Sequence, residues 1–179
     1  MGRSYNAQEI EKAAALLRGI KNDPFLACDI ITGFPGETED DFCETFSLCK
    51  KLDFAWIHVF PYSGRKGTPA YSFKENVHEK DVTKRVKVFT DLAKQGRINY
   101  IKRWIGKEVE VVVEDKIPRI STDLQRSAKI LCCGTSENYL KVIIENADIA
   151  PPLAGNAIMC ELISPTNVPD YDITGKIIF

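Results

Sequence analysis

The chain has 179 residues, 44% hydrophobic and 27% charged, an ordinary globular balance with no low-complexity segment. A formal net charge of -1 excludes a polycation, so any nucleic-acid contact must come from local patches. No apolar run approaches the ~20 residues of a membrane helix, and Met1-Gly2-Arg3-Ser4 leads into a polar helical segment rather than a secretory signal, so a cytoplasmic protein is expected.

Asn6-Ala7-Gln8-Glu9 predicts a helix start, Asn6 capping and Glu9 reaching back. Ile10, Ala13, Ala14 and Leu17 then share one face, and Gly19 with Asp23-Pro24 ends the helix. Phe25 to Ile31 reads as a buried strand, and Gly33-Phe34-Pro35-Gly36 as a tight turn. Thr38 is the next N-cap, with Glu39, Asp40 and Asp41 in the first turn, where the helix dipole favours negative charge. The second helix runs to about Lys51, and Phe54 to Phe60 is the next strand. A Pro/Gly-rich loop reaches Ala70. Helices alternating with strands predict parallel βα units, too few here to close a (β/α) barrel. Glu79 to about Ile105 is one long basic helix, or two broken near Gly96.

Beyond Gly106 the texture changes. Strands are predicted at 108–113, 129–133, 139–144, 157–163 and 173–178, separated by turn residues. Five short strands suggest a small closed, OB-like β-barrel. The fold class is thus α/β plus all-β, with domains at 1–105 and 106–179. The first part carries 17 basic and 14 acidic residues, the second 7 and 11. The basic excess therefore lies on the long helix, not within the barrel.

The 6 cysteines, Cys28, Cys43, Cys49, Cys132, Cys133 and Cys160, lack metal-ligand spacing. They are expected to be reduced thiols, several of them buried.

Two segments carry more specific chemistry. Asp29-Ile30-Ile31-Thr32-Gly33-Phe34-Pro35-Gly36-Glu37-Thr38 ends a strand in a glycine turn at its carboxyl edge, where parallel α/β sheets bind ligands. Gly33 and Gly36 would let backbone approach a flat ligand; a plain βα turn whose glycines serve only geometry is the competing reading. His58-Val59-Phe60-Pro61-Tyr62-Ser63-Gly64-Arg65-Lys66-Gly67-Thr68-Pro69 follows the second strand. Arg65 is a candidate for bidentate carboxylate or phosphate binding, or a solvated surface arginine. Strand parity places Asp29 and His58 as a polar pair in the barrel interior.

Both segments resemble the radical-SAM tRNA methylthiotransferases of the MiaB-like family, and His-Val-Phe-Pro-Tyr-Ser looks most like the threonylcarbamoyl-adenosine branch. Lys66 stands where the family pattern has proline. The resemblance implies S-adenosylmethionine as ligand, bordered by Ile31, Gly33, Phe34, Pro35, Gly36, Phe60, Tyr62 and Arg65. Gly106 to Glu114 and Gly134 to Tyr139 resemble a TRAM domain, the RNA-binding β-barrel at the carboxyl end of these enzymes. It implies RNA contacts at Arg119, Arg126, Lys129, Asn138, Tyr139 and Lys141, with Tyr139 stacking or merely packing. The basic helix reads first as a solvated face, with RNA contact as its second reading.

The family holds [4Fe–4S] clusters with a C-x-x-x-C-x-x-C motif that this sequence lacks. The chain is therefore expected to be a carboxyl-terminal fragment, inactive alone, that self-associates through uncovered strand edges. Its expected partners are tRNA and the amino-terminal part of the parent enzyme. A stand-alone RNA-binding module, or the isopentenyl-adenosine or ribosomal-protein branch, are the alternatives.

Overall fold

The computed structural model describes residues 2–114, 130–145 and 152–178. The chain divides into two compact units, Met1–Asn99 and Tyr100–Phe179.

The first unit begins with α1 (Ala7–Ile20), opened by the expected capping box between Asn6 and Glu9. β1 (Ala27–Thr32), α2 (Glu39–Leu52) and β2 (Trp56–Pro61) follow. A second capping box opens α2: the Thr38 side chain accepts from the Asp41 amide, and Asp41 reaches back to Thr38. β1 and β2 pair in parallel, with Ala27 opposite Trp56 and Thr32 opposite Pro61. The crossover helix α2 makes this a βαβ unit. One face of the pair is packed. Cys28, Ile30, Ile57 and Val59 meet Phe42, Cys49, Phe89 and Ala93, with the Phe42 and Phe89 rings edge-to-face at 5.5 Å. Ala14, Leu26 and Leu52 form a smaller core beside α1.

After a short 3-10 turn at Pro69–Ser72 comes α3 (Glu79–Trp104), a single helix of 26 residues. Of the two readings, the single long helix is the one realised, with no break at Gly96. Gly96 is needed for packing instead: a Cβ there would lie 2.2 Å from the Phe54 carbonyl oxygen. The helix passes against β2's entry so closely that only glycine fits.

From Tyr100 onward α3 belongs to the second unit. There β3 (Glu108–Glu114), β4 (Ile130–Ser136), β5 (Lys141–Glu145), β6 (Ala157–Pro165) and β7 (Ile173–Ile177) close into a barrel in the order β3-β4-β5-β7-β6. All neighbours are antiparallel except β5 and β7, which pair in parallel through Val142–Ile173. The alternation expected of β3 is realised: Val109, Val111 and Val113 point inward, Glu108, Glu110 and Val112 outward. Leu140, Val142, Ile144, Cys160, Leu162 and Ile173 complete an interior with no exposed surface at those side chains. Gly134 lets β4 ride on β3, since a Cβ there would meet the Val112 carbonyl at 2.3 Å. No helix among the described residues is long and apolar enough to cross a membrane.

Candidate functional site

The carboxyl edge of β1 and β2 is built by the segment Thr32 to Thr38. Gly33 and Gly36 both have positive φ, +78° and +85°, which a side chain disfavours. At Gly33 the space of the missing side chain is already used by the chain itself. A Cβ on Gly33 would lie 2.5 Å from a methyl of Val82 on α3. Their amides are also engaged: Gly33 donates to the Glu37 carboxylate at 2.7 Å, and Gly36 to the Glu75 carbonyl at 2.7 Å.

Glu37 is the centre of this arrangement. The same carboxylate oxygen accepts from Arg85 at 2.7 Å, and the other arm of that guanidinium reaches Glu39 at 3.0 Å. Arg85 is 5% exposed and lies over the Phe42 ring at 5.2 Å. Burial works against its charge, and the bonds from Glu39 and Glu37 outweigh that, holding its pKa above the ordinary arginine value. Turn, α2 and α3 are thus locked together through one buried cation.

Two hydroxyls remain at this edge. The Thr32 and Tyr62 hydroxyls are buried with no hydrogen-bond partner among the described residues. The two residues are joined through the backbone, the Tyr62 amide donating to the Thr32 carbonyl at 2.9 Å. Phe34 packs edge-to-face on Tyr62 at 5.1 Å and faces Phe73 at 6.2 Å. Orphaned hydroxyls beside aromatic rings suit a ligand with both polar and flat parts. Pro35 is buried in the turn and Ile31 is half-buried on the strand. Arg65 is exposed, its carbonyl accepting from the Thr68 hydroxyl at 2.7 Å.

The other sheet face carries Asp29 and Ile31 from β1 and Trp56, His58 and Phe60 from β2. Asp29 stands opposite His58 in the register, so they neighbour across the sheet as parity required. Their expected interior placement is corrected: both are exposed, as is Phe60 at 49%. The helices of this unit pack on the opposite face, and two strands do not enclose a lumen. His58 Nδ1 accepts from the Trp56 indole at 3.2 Å, which leaves the proton of a neutral ring on Nε2.

In the second unit the turn between β4 and β5 presents Tyr139, 68% exposed, with φ +62°. Its base is rigid. The Ser136 hydroxyl donates to the Asn138 carboxamide oxygen, the Leu140 amide donates to that hydroxyl at 2.9 Å, and Glu137 donates to the Glu110 carbonyl at 2.9 Å. Asn138 is 1% exposed. Its carboxamide oxygen builds the turn, while its buried Nδ2 has no hydrogen-bond partner among the described residues. Lys141 donates to Glu114 at 2.7 Å and to the Thr135 hydroxyl at 2.6 Å, so its charge is largely answered within the barrel. Arg119, Arg126 and Lys129 lie outside the described residues.

The thiols are dispersed. Cys28 and Cys49 are hydrogen-bonded in the first core, Cys43 is exposed on α2, and Cys132, Cys133 and Cys160 are buried in the barrel. Among the described residues no three His, Cys, Asp or Glu side chains are grouped to hold a metal.

Sequence periodicity passed over Glu37, Arg85 and Thr32. Arg85 was counted with the solvated basic face of α3. The signal was its place on the apolar stripe of Val82, Phe89 and Ala93, where a lone cation requires a buried partner.

No family model matches the chain. Among curated proteins, it is similar to a threonylcarbamoyladenosine tRNA methylthiotransferase of Treponema pallidum, 40% identical over 151 residues, 84% of this chain and 28% of the relative. An enzyme of the same name from Bacillus subtilis is 30% identical over 152 residues, 83% of this chain and 32% of the relative. A tRNA-2-methylthio-N(6)-dimethylallyladenosine synthase of Geobacillus kaustophilus is 38% identical over 114 residues, 64% of this chain and 22% of the relative. The chain thus spans about a fifth to a third of the length of these relatives. Over that span, it belongs to the family of tRNA methylthiotransferases.

Proposed function

We propose that the chain is the carboxyl-terminal part of a cytoplasmic tRNA methylthiotransferase of the threonylcarbamoyl-adenosine type. Residues 1–105 are its last radical-SAM barrel strands and residues 106–179 its TRAM domain. The parent enzyme adds a methylthio group to the N6-threonylcarbamoyladenosine beside the tRNA anticodon. The threonylcarbamoyl-type relatives of Treponema pallidum and Thermotoga maritima are 40% and 41% identical over 151 and 114 residues, against 38% over 114 residues in the dimethylallyl-type relative named above, which supports this branch.

The observation that carries the reading is the parallel β1–β2 edge, where the buried hydroxyls of Thr32 and Tyr62 lack partners beside aromatic rings. These residues fit the adenosyl part of S-adenosylmethionine: ribose and adenine offer hydrogen-bonding atoms to the hydroxyls and a flat face to Phe34. Ile31 and Phe60 would border it from the open sheet face. When bound and reductively cleaved, S-adenosylmethionine supplies the radical for attack on an unactivated C–H bond. The chain's own contribution is to orient that ligand, through a turn that Glu37 and Arg85 keep rigid. The six thiols do not supply a three-cysteine cluster site, so iron–sulfur ligation belongs to other parts of the parent enzyme.

The test is incubation of this chain with tRNA, S-adenosylmethionine and a reductant, followed by nucleoside analysis. No methylthio product is expected from the chain alone, while a strain lacking the parent gene should lose methylthio-threonylcarbamoyladenosine. Loss of methylthio-isopentenyladenosine instead would assign the other branch.

A further inference from the structure

We propose that Cys28 and Cys49 are a redox modification site, a thiol pair that hydrogen peroxide converts to a disulfide joining β1 to α2. It stands apart from the methylthiotransferase reading and holds whether or not that reading does.

The βαβ unit sets up the pair. Cys28 is the second residue of β1 and lies opposite Ile57 of β2 in the parallel register. It shares the helix-facing side of the sheet with Ile30, while Asp29 and Ile31 take the open side. On α2, Phe42, Cys49 and Leu52 recur at helical spacing and are its buried residues. The crossover lays that stripe on the sheet, and Cys28 packs into the same cluster as Cys49. The two thiols are hydrogen-bonded to each other. Packing alone would be served by any small apolar side chain on either element. Here a strand and a helix each bring a sulfur to one contact.

Placement also favours reaction. Cys49 is 4% exposed, whereas Cys28 is only partly buried. Peroxide is little larger than water, so the partial exposure of Cys28 gives it an approach to the pair. The hydrogen bond divides the roles. The Cys28 thiol donates to the Cys49 sulfur, which lowers the Cys49 pKa against the effect of burial. The same bond, then burial, raises the pKa of Cys28. Cys49 therefore gives up the first proton and is the nucleophile. Its thiolate attacks one peroxide oxygen, the O–O bond breaks, and hydroxide leaves with the electron pair. Cys49 is then a sulfenic acid. The Cys28 sulfur, losing its proton, attacks the Cys49 sulfur, and the S–O bond breaks to release a second hydroxide. The two thiol protons neutralise the two hydroxides. Two thiols and one peroxide thus give one disulfide and two waters, the sulfurs losing the two electrons that the peroxide oxygens gain.

The product closes a covalent ring over residues 28–49, which contains the Gly33–Gly36 turn and Glu37. The ring removes unfolded conformations of that segment, so the oxidised form holds the turn more firmly. The barrel thiols are placed differently. Cys132 and Cys160 belong to β4 and β6, which are not neighbours in the barrel, and Cys133 accepts from the Tyr171 hydroxyl at 3.1 Å.

The whole chain, reduced and then freed of reductant, is treated with equimolar hydrogen peroxide, denatured in an alkylating reagent and mapped by peptide mass spectrometry. A linked Cys28–Cys49 peptide is expected, lighter by two hydrogens than the separate peptides, with free thiols falling from six to four. Dithiothreitol should restore all six. The oxidised chain should unfold about 5–15 °C higher than the reduced one. Cys28→Ser should still oxidise at Cys49 but stop at the sulfenic or sulfinic acid, with no crosslink. Recovery of Cys28 and Cys49 from the peroxide-treated native chain as alkylated thiols, or each linked to some other cysteine, would overturn the site.

Discussion

Glu37 and Arg85, 48 residues apart in sequence, share a 2.7 Å ion pair in which the side chains are 14% and 6% exposed. The Gly33 amide bonds to the same carboxylate oxygen. Removing one member of a buried pair leaves the other charge desolvated, at a cost of about 3–5 kcal/mol. Glu37→Gln and Arg85→Met should each destabilise the first unit on that order. The double variant should recover part of the loss, because neither buried charge then remains. Denaturant unfolding followed by Trp56 emission in a Trp104→Phe background reads this. Single variants within about 0.5 kcal/mol of the parent, the range of ordinary surface changes, would show that the pair is not structural.

Gly19 and Gly96 give opposed expectations for the same substitution. Both lie in helices, where alanine is favoured over glycine by roughly 0.5–1 kcal/mol. At Gly19 a Cβ meets nothing within 4 Å, so Gly19→Ala should stabilise by about that amount. At Gly96 the new methyl lies 2.2 Å from a backbone oxygen that cannot rotate away. Gly96→Ala should therefore destabilise by about 1–3 kcal/mol, the usual cost of overpacking. Thermal unfolding of the two variants side by side settles it. A stabilised Gly96→Ala would mean that α3 and the Phe54 backbone stand further apart.

These glycines also mark how far the sequence is readable. Local signals were legible because their partners are local. Asn6 with Glu9, Thr38 ahead of its acidic turn and the alternation of β3 each depend on residues a few positions apart. The parallel order and the five barrel strands followed from spacing between apolar runs. What stayed hidden depends on contacts distant in sequence. Gly96 left a helix break open as an alternative because Phe54, whose carbonyl it must clear, is 42 positions away. Arg85 looked solvated because its partners sit on another helix and its approach. That Asn138 is buried was not legible, because nothing local says that its carboxamide turns inward.

Buried thiols make the barrel sensitive to alkali. Burial, then neighbouring Cys133, pushes Cys132 up to about 11. Burial, then Cys132, pushes Cys160 up to about 12. An unfolded thiol ionises near about 8.5. Above that pH the unfolded chain releases protons that the folded chain retains, so stability present at neutral pH declines as pH rises toward 11 and 12. The unfolding midpoint should fall across that window, and Cys160→Ala should make the fall shallower. Iodoacetamide at pH about 8.5 should label exposed Cys43 in the native protein and reach Cys132 and Cys160 only on denaturation. Labelling of all three at equal rates would contradict the burial.

On the acid side, α2's capping box makes one contribution. Asp41 accepts from the Thr38 amide at 2.8 Å and from the Thr38 hydroxyl at 2.7 Å. The side-chain bond, then the backbone bond, holds its carboxyl below the usual range. A depressed folded pKa contributes stability that is present above the unfolded value of about 3.9 and is lost as pH falls through the folded value. Asp41→Asn keeps a partial acceptor for the cap but cannot titrate. Its stability should vary less between pH about 5 and 2 than that of the parent. If Asp41→Asn and the parent lose stability in parallel over that range, the reciprocal cap is not what ties α2 to acid.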